Sequence, residues 1–375
     1  MRIVMFYHSL ISDWNHGNAH FLRGIATELL ARGHEVAVFE PVDAWSVRNL
    51  VAERGPAALV AYRRAYPALV SQRYDDTLDL DEALDGADLV LVHEWNDPAL
   101  VRRIGAHHAR NPRASGGYVL LFHDTHHRSL TASAEMAEHD LRHYDGVLAF
   151  GRAVRDRYLE QEWTHRAWVW HEAADTRIFR PLDAPGRLGD VVWIGNWGDD
   201  ERTRELREML IEPVRALRIK ARVHGVRYPE HARRMLRRAG IDYAGWLPNY
   251  EVPTVFAQFG ATVHIPRRPY TRALPGIPTI RVFEALACGI PLISAPWEDT
   301  EGLFTAGEDF LVARDGAEMR RHLRDVLNDP ALANALRARG VQTIRERHTC
   351  AHRVRELLAI VAELDSRTPT RAVTV

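Results

Sequence analysis

Lysine is almost missing from this 375-residue chain: of 49 Lys and Arg residues, Lys220 is the single lysine. A P-loop needs a lysine behind a glycine-rich turn, and a pyridoxal Schiff base needs one to carry its cofactor. Lys220 stands in Arg218-Ile219-Lys220-Ala221 with no such turn before it, so neither reading survives. Phosphate here must be met by arginine, backbone amides or helix ends. Cysteine is nearly as scarce, and Cys288 with Cys350 makes neither a disulfide framework nor a thiolate zinc site. No run approaches the roughly 18 apolar residues of a membrane-spanning helix. The opening Met1-Arg2-Ile3-Val4-Met5-Phe6-Tyr7 is too short for a signal peptide's apolar region and lacks a cleavage site, so a cytoplasmic location is expected. An excess of one charge is also absent. The formal net charge of −1 gives no bulk attraction for nucleic acid or anionic lipid, while leaving room for peripheral membrane contact.

What is present is an ordinary globular mixture, 46% apolar and 26% charged, long enough for two domains. Ile3 to Tyr7 reads as a buried strand, followed by a polar loop from Ser9 to Asn18. A helix from His20 to Arg32 carries Phe21, Ile25, Leu29 and Leu30 at helical spacing and ends at Gly33. Glu35–Phe39 is the next strand. Further apolar runs at 88–93, 118–123, 146–150 and 167–171, with helices between them, are what a parallel sheet covered on both faces needs. Pro181, Pro185, Gly186 and Gly189 mark a break. A second series follows: strands near 190–195, 219–224, 241–244, 261–265 and 291–295, with helices over 202–217, 229–239 and 279–288. Three helices, over 317–327, 330–347 and 351–364, close the chain, and the tail after Asp365 is expected to fray. The expected architecture is α/β, with two Rossmann-like doubly wound domains over 1–182 and 186–349 facing across a cleft, and helix 350–366 crossing back to the first.

The segment Gly276-Ile277-Pro278-Thr279-Ile280-Arg281-Val282-Phe283-Glu284-Ala285-Leu286-Ala287-Cys288-Gly289 carries the most chemistry. Pro278 pre-sets a helix start and Gly289 ends it. Free amides at Thr279 and Ile280 would attract a phosphate, with Arg281 facing the same anion or the surface. Glu284, about one turn further in, could accept hydrogen bonds from vicinal hydroxyls. As a mere solvated charge it would sit oddly among Phe283, Ala285, Leu286 and Ala287.

This segment resembles the nucleotide-sugar motif of GT-B glycosyltransferases, close to glycosyltransferase family 4 and its CgeB-like spore-maturation branch. Other stretches resemble that family in order: Gly17 with Ala31-Arg32-Gly33-His34-Glu35-Val36, His171-Glu172-Ala173-Ala174-Asp175-Thr176 with Phe179-Arg180-Pro181, Val192-Trp193-Ile194-Gly195-Asn196, and Ala244-Gly245-Trp246-Leu247-Pro248. The resemblance implies a nucleotide-diphosphate-sugar donor of the UDP type, a hydroxyl acceptor and a retaining transfer without metal or other cofactor, in polysaccharide or secondary-metabolite glycosylation. Glu284 would bind the ribose, Thr279 and Ile280 the diphosphate or sugar, Gly195 and Asn196 the donor, and Gly245, Trp246 and Leu247 the base. The family usually has a second Glu eight residues before the ribose Glu, and here Gly276 stands there.

Negative charge on the departing diphosphate needs neutralising. Arg202, past the Gly195 loop, and Arg268, past strand 261–265, are the candidates, each with a surface role as its alternative. His123 and Asp124 end a strand and could bind the acceptor or act as general base. A metal site in His123-Asp124-Thr125-His126-His127, or at His16 and His20, lacks a fixed ligand spacing. The resemblance places Gly17 and His123-Asp124 along the cleft, and His20 is either an acceptor or donor contact there or a residue of the helix face. Two other functions remain open: an epimerase using Glu298 and Glu301, and a non-catalytic nucleotide-sugar-binding or coat-associated protein. Oligomeric state is not specified.

Overall fold

The structure, a computed structural model, describes residues 1–111, 116–183, 186–198 and 200–366. Contacts group the chain into two compact units. Of the described residues, the first holds those within 1–12, 22–171 and 351–366; the second holds those within 13–21 and 172–350.

The first unit is built on seven parallel strands: β1 (Arg2–Phe6), β2 (Glu35–Pro41), β3 (Ser71–Tyr74), β4 (Leu89–His93), β5 (Val119–Asp124), β6 (Gly146–Ala149) and β7 (Ala167–Val169). Their spatial order is β3-β2-β1-β4-β5-β6-β7, with Ile3 opposite both Val36 and Leu89. The strand order reverses beside β1, and in open parallel sheets ligands bind at the carboxyl ends beside such a reversal. Helix α1 (Ala19–Ala31) ends at Gly33, whose φ of +81° costs glycine little. Helix α2 (Pro98–Arg110) starts on Asp97, whose side chain accepts from Ala99 N. The helices over 45–54 and 57–65 and strand β3 are not legible in the sequence. Strand β3 reads Ser-Gln-Arg-Tyr at a sheet edge and has neither an apolar run nor a buried face to betray it.

The second unit repeats the scheme with β8 (Gly189–Ile194), β9 (Ala221–His224), β10 (Asp242–Gly245), β11 (Phe259–His264), β12 (Leu292–Ser294) and β13 (Leu311–Val312). Their order is β10-β9-β8-β11-β12-β13, all parallel, so the reversal lies between β8 and β11. Val191, Val223, Ala261, Val263 and Ile293 from the strands pack with Leu206, Leu210, Leu236, Met319 and Leu323 from the helices. Helix α3 (Ile280–Cys288) ends at Gly289 with φ +66°. Helices α4 (Gly316–Asn328) and α5 (Pro330–Arg347) follow. The single helix expected over 202–217 contains a π-helical turn at Arg207–Ile211. Pro213, just beyond it, has no amide to give to the carbonyl of residue 209, which is where an α-helical ladder would fail. Helix α6 (Cys350–Ser366) belongs by its contacts to the first unit, where Trp170 Nε1 donates to Arg353 O at 2.8 Å. Pro185 and the tail from 367 lie outside the described residues.

Candidate functional site

Helix α3 is apolar on nearly all sides, and its residues Val282 to Cys288 are all buried, Glu284 at 0% exposure. A carboxylate placed there must be paired. His20 Nδ1 lies 3.0 Å from Glu284 Oε1, and Arg281, one turn back, pairs with Oε2. The Arg281 side chain keeps 15% exposure, so the outer side of this pair reaches solvent. Glu172 is buried nearby, and burial together with the charge of Glu284 pushes its carboxyl well above the usual range.

The N-terminus of α3 is left without a side-chain cap. Thr279, the capping residue, makes no side-chain bond to the helix amides. Its hydroxyl is engaged instead with His264 Nε2 at 3.0 Å, while His264 Nδ1 meets Ser294 Oγ at 2.9 Å. Ser294 Oγ donates onward to Ala295 O at 2.7 Å, so hydrogens run in one direction from Thr279 through His264 to Ser294. Burial holds the His264 imidazole near a pKa of about 3, so it relays this chain in its neutral form.

Residues Asp13–Phe21, part of this second unit, bind the loops at the carboxyl edge of its sheet. Asp13 accepts from Trp246 Nε1 and from Asn249 N, each at 3.0 Å. Asn249 Nδ2 donates to Gly17 O at 3.2 Å. Asn15 and Asn196 pair through their side chains. A Cβ on Gly17 would lie 3.5 Å from Ile280 Cγ2. Gly17, His20, Asn196, Trp246, Ile280 and Glu284 are thus brought together. Gly245 (φ +75°) accepts from Gly225 N and Leu247 is half-buried beside Trp246.

The Gly195 loop is tightly held. Gly195 O accepts from Tyr228 Oη at 2.9 Å, and Asn196 Oδ1 accepts from Val226 N at 3.1 Å. Arg202 donates to Asn196 O at 2.5 Å and to Ile265 O at 2.9 Å, so it ties the loop after β8 to the loop after β11. Burial lowers its pKa to about 10, and its guanidinium stands 5.1 Å from the Trp193 ring centroid. Arg268 is paired with Glu205 at 3.0 and 3.2 Å and with Asp200 O. Its charge therefore meets a carboxylate inside the fold. Gly276 has φ +87°, and a Cβ there would fall 2.6 Å from Thr300 Oγ1 and 2.7 Å from Glu301 Cγ. Position 276, where the resembled family usually carries a Glu, is covered by the side chain of Glu301, and Glu298 O accepts from Gly276 N at 2.6 Å.

His123 and Asp124 lie in the first unit at the end of β5. His123 is fully buried, edge-on to Trp170 and His93, and burial pulls its pKa to about 3. Asp124 accepts from His126 N and Tyr158 Oη, each at 2.9 Å, and burial raises it to about 6. Glu94 and Arg128 stand at the same edge, with no motif in the sequence to single them out. Arg128 pairs with Glu94 and lies 3.9 Å over the Trp95 ring. Burial, then Asp124, raise Glu94 to about 8 against the pull of Arg128. Asp13, Asn15, Glu172, Asp175 and His264 were also passed over as site residues. Of these, His264 alone carries a sequence signal, a polar residue breaking an apolar run at the end of β11. Among the described residues, no group of three or more His, Cys, Asp or Glu could hold a metal ion, and no helix is long and apolar enough to cross a membrane.

Residues 202–359 match the family model described as glycosyl transferase-like. No curated protein matches the chain by sequence. Solved structures resemble it along nearly its whole length. The sucrose-phosphate synthase of Thermosynechococcus elongatus is 13% identical over 98% of this chain and 99% of that chain, with a TM-score of 0.66. HepE of Anabaena, in complex with UDP, is 12% identical over 97% and 100%, at 0.65. An alpha-glucosyltransferase in complex with UDP-glucose and DNA is 14% identical over 96% and 99%, at 0.69. At such identities the likeness shows the fold: two parallel-sheet α/β domains of the GT-B glycosyltransferase kind.

Proposed function

We propose that the chain is a glycosyltransferase that moves a sugar from a nucleoside-diphosphate donor to a hydroxyl acceptor. One observation carries this reading: an uncapped helix N-terminus and, one turn further in, a buried carboxylate, both beside the carboxyl edge of a parallel sheet. In this reading the amides at the start of α3 take the diphosphate and Glu284 takes the ribose hydroxyls. Arg281, the partner that reaches solvent, moves from Oε2 to the diphosphate as the ribose arrives. Leaving-group charge is then met by Arg281 and the helix end, with Arg202 fixing the loop beside them. Trp246 and Leu247 flank the base. UDP is the nucleotide we favour, supported by its presence in the complexes of HepE and the alpha-glucosyltransferase. Retention of configuration, independence of metal and membership of the family 4 or CgeB-like branch are parts of the proposal that rest on sequence resemblance; a cytoplasmic setting is a part that rests on the character of the first residues.

The test is incubation with UDP-, GDP- and dTDP-sugars, with and without hydroxyl acceptors and with and without EDTA. Acceptor-dependent release of the free nucleoside diphosphate supports transfer, and product NMR reads the anomeric outcome. A binding-only protein is the second reading, favoured by Arg268 being paired with Glu205. It predicts tight donor binding with neither nucleoside diphosphate release nor an altered sugar.

A further inference from the structure

His20 is 1% exposed, and its ring is fixed on three sides. Asp175 N donates to Nε2 at 2.9 Å. A backbone amide can only donate, so Nε2 accepts and the ring hydrogen sits on Nδ1. That nitrogen faces Glu284 Oε1 at 3.0 Å and therefore donates to it. The ring face lies on Phe179, with centroids 3.7 Å apart and planes 18° apart. The stretch bearing Asp175 and Phe179 is itself closed by the bonds of Ile178 N and Phe179 N to Asp175 O, at 3.1 and 2.8 Å. Neither Asp175 nor Phe179 can slide without disturbing this turn.

We propose that His20 is a positioning residue for Glu284, setting the carboxylate's orientation for the ribose of the donor; this rests on the donor reading above. A carboxylate has about four acceptor sites; His20 takes one on Oε1, and Arg281 is paired by charge with Oε2. His20 fixes the carboxylate plane through Oε1 and leaves Oε2, the oxygen on the Arg281 side, to change partners. Glu172, near enough to feel the charge of Glu284, is held toward its neutral form by burial. The role is specific to Nδ1–H: a side chain without a donor there, or with the donor on Nε2, does not perform it.

The experiment titrates UDP, GDP and dTDP separately into wild type, His20→Ala, His20→Asn and Glu284→Ala by calorimetry. Donor KM and kcat are measured alongside, and circular dichroism checks folding. Losing a hydrogen bond to a charged group weakens binding on the order of tenfold. We expect that loss in His20→Ala, carried by Kd and KM rather than kcat, with recovery to within about threefold in His20→Asn, whose amide replaces Nδ1–H. Histidine nitrogen NMR on the wild type should find the His20 hydrogen on Nδ1, a readout that survives even if His20→Ala fails to fold. The proposal is overturned by unchanged nucleotide affinity in a folded His20→Ala while Glu284→Ala loses it, by failure of His20→Asn to recover, or by a hydrogen on Nε2. Unchanged affinity in Glu284→Ala sinks the donor reading itself, and the positioning role with it.

Discussion

Replacing Glu284 by alanine should cost more than nucleotide binding. The carboxylate is buried at 0% exposure and pairs with Arg281, whose side chain is 15% exposed, and with the His20 imidazole. Truncation strands a largely buried guanidinium and removes the acceptor of a buried N–H. Breaking a buried pair from one side costs roughly 3–5 kcal/mol, because the remaining charge stays desolvated. Removing both charges relieves that penalty. Arg281→Ala/Glu284→Ala should therefore be less destabilised than the sum of the single variants, with a coupling of about 1–3 kcal/mol for a pair in contact. Urea unfolding followed by tryptophan fluorescence supplies the four stabilities of the cycle, and UDP calorimetry reads the site on the same samples. Additive effects within about 0.5 kcal/mol would show that Arg281 and Glu284 are not partners, and the reasoning from burial to pairing would fall.

Gly276→Ala should destabilise by roughly 2–4 kcal/mol, because φ +87° is costly for alanine and its Cβ would meet Thr300 and Glu301 below 3.0 Å; a thermal melt within 1 °C of wild type would contradict this. Arg202→Lys should raise donor KM, since an ammonium cannot span the carbonyls of Asn196 and Ile265 as the guanidinium does; steady-state kinetics over a donor series checks it. His123 and His264, both near a pKa of 3, stay neutral when folded, whereas the unfolded chain protonates them below about 6.5. Their contribution is complete above that pH and is lost as pH falls toward 3, by up to about 1.4 kcal/mol per pH unit for each group. Glu94, raised to about 8, runs the other way, losing stability as pH rises from 4.5 to 8. His123→Gln should flatten the pH dependence of the urea midpoint between pH 6 and 4, and an unchanged slope would reject its neutral burial.

The place of Glu284 was legible because a lone acid in an apolar helix is a conflict visible in one line of sequence, and the Pro278 and Gly289 boundaries framed it. Its partner was not legible. His20 lies 264 positions away, and Asp13 lies 233 from Trp246. Nothing periodic links such residues. That His123 and Asp124 end a strand was legible, but not that they are closed in by Trp170, Tyr158 and the backbone. Arg268 stood as a candidate or a surface residue, and its pairing was not legible because Glu205 belongs to another element.

Apolar runs, helical spacing and glycine stops act over a few residues, so the chain by itself determined two parallel-sheet units, most strand positions and the ends of α1 and α3. Tertiary structure alone decided that residues 13–21 belong with the second unit, that Thr279 gives its hydroxyl to His264 rather than to its own helix, and that Glu301 covers Gly276. The physical reason is range: burial forces a charge or donor to find a partner, but which one it finds depends on close packing among segments far apart in the chain.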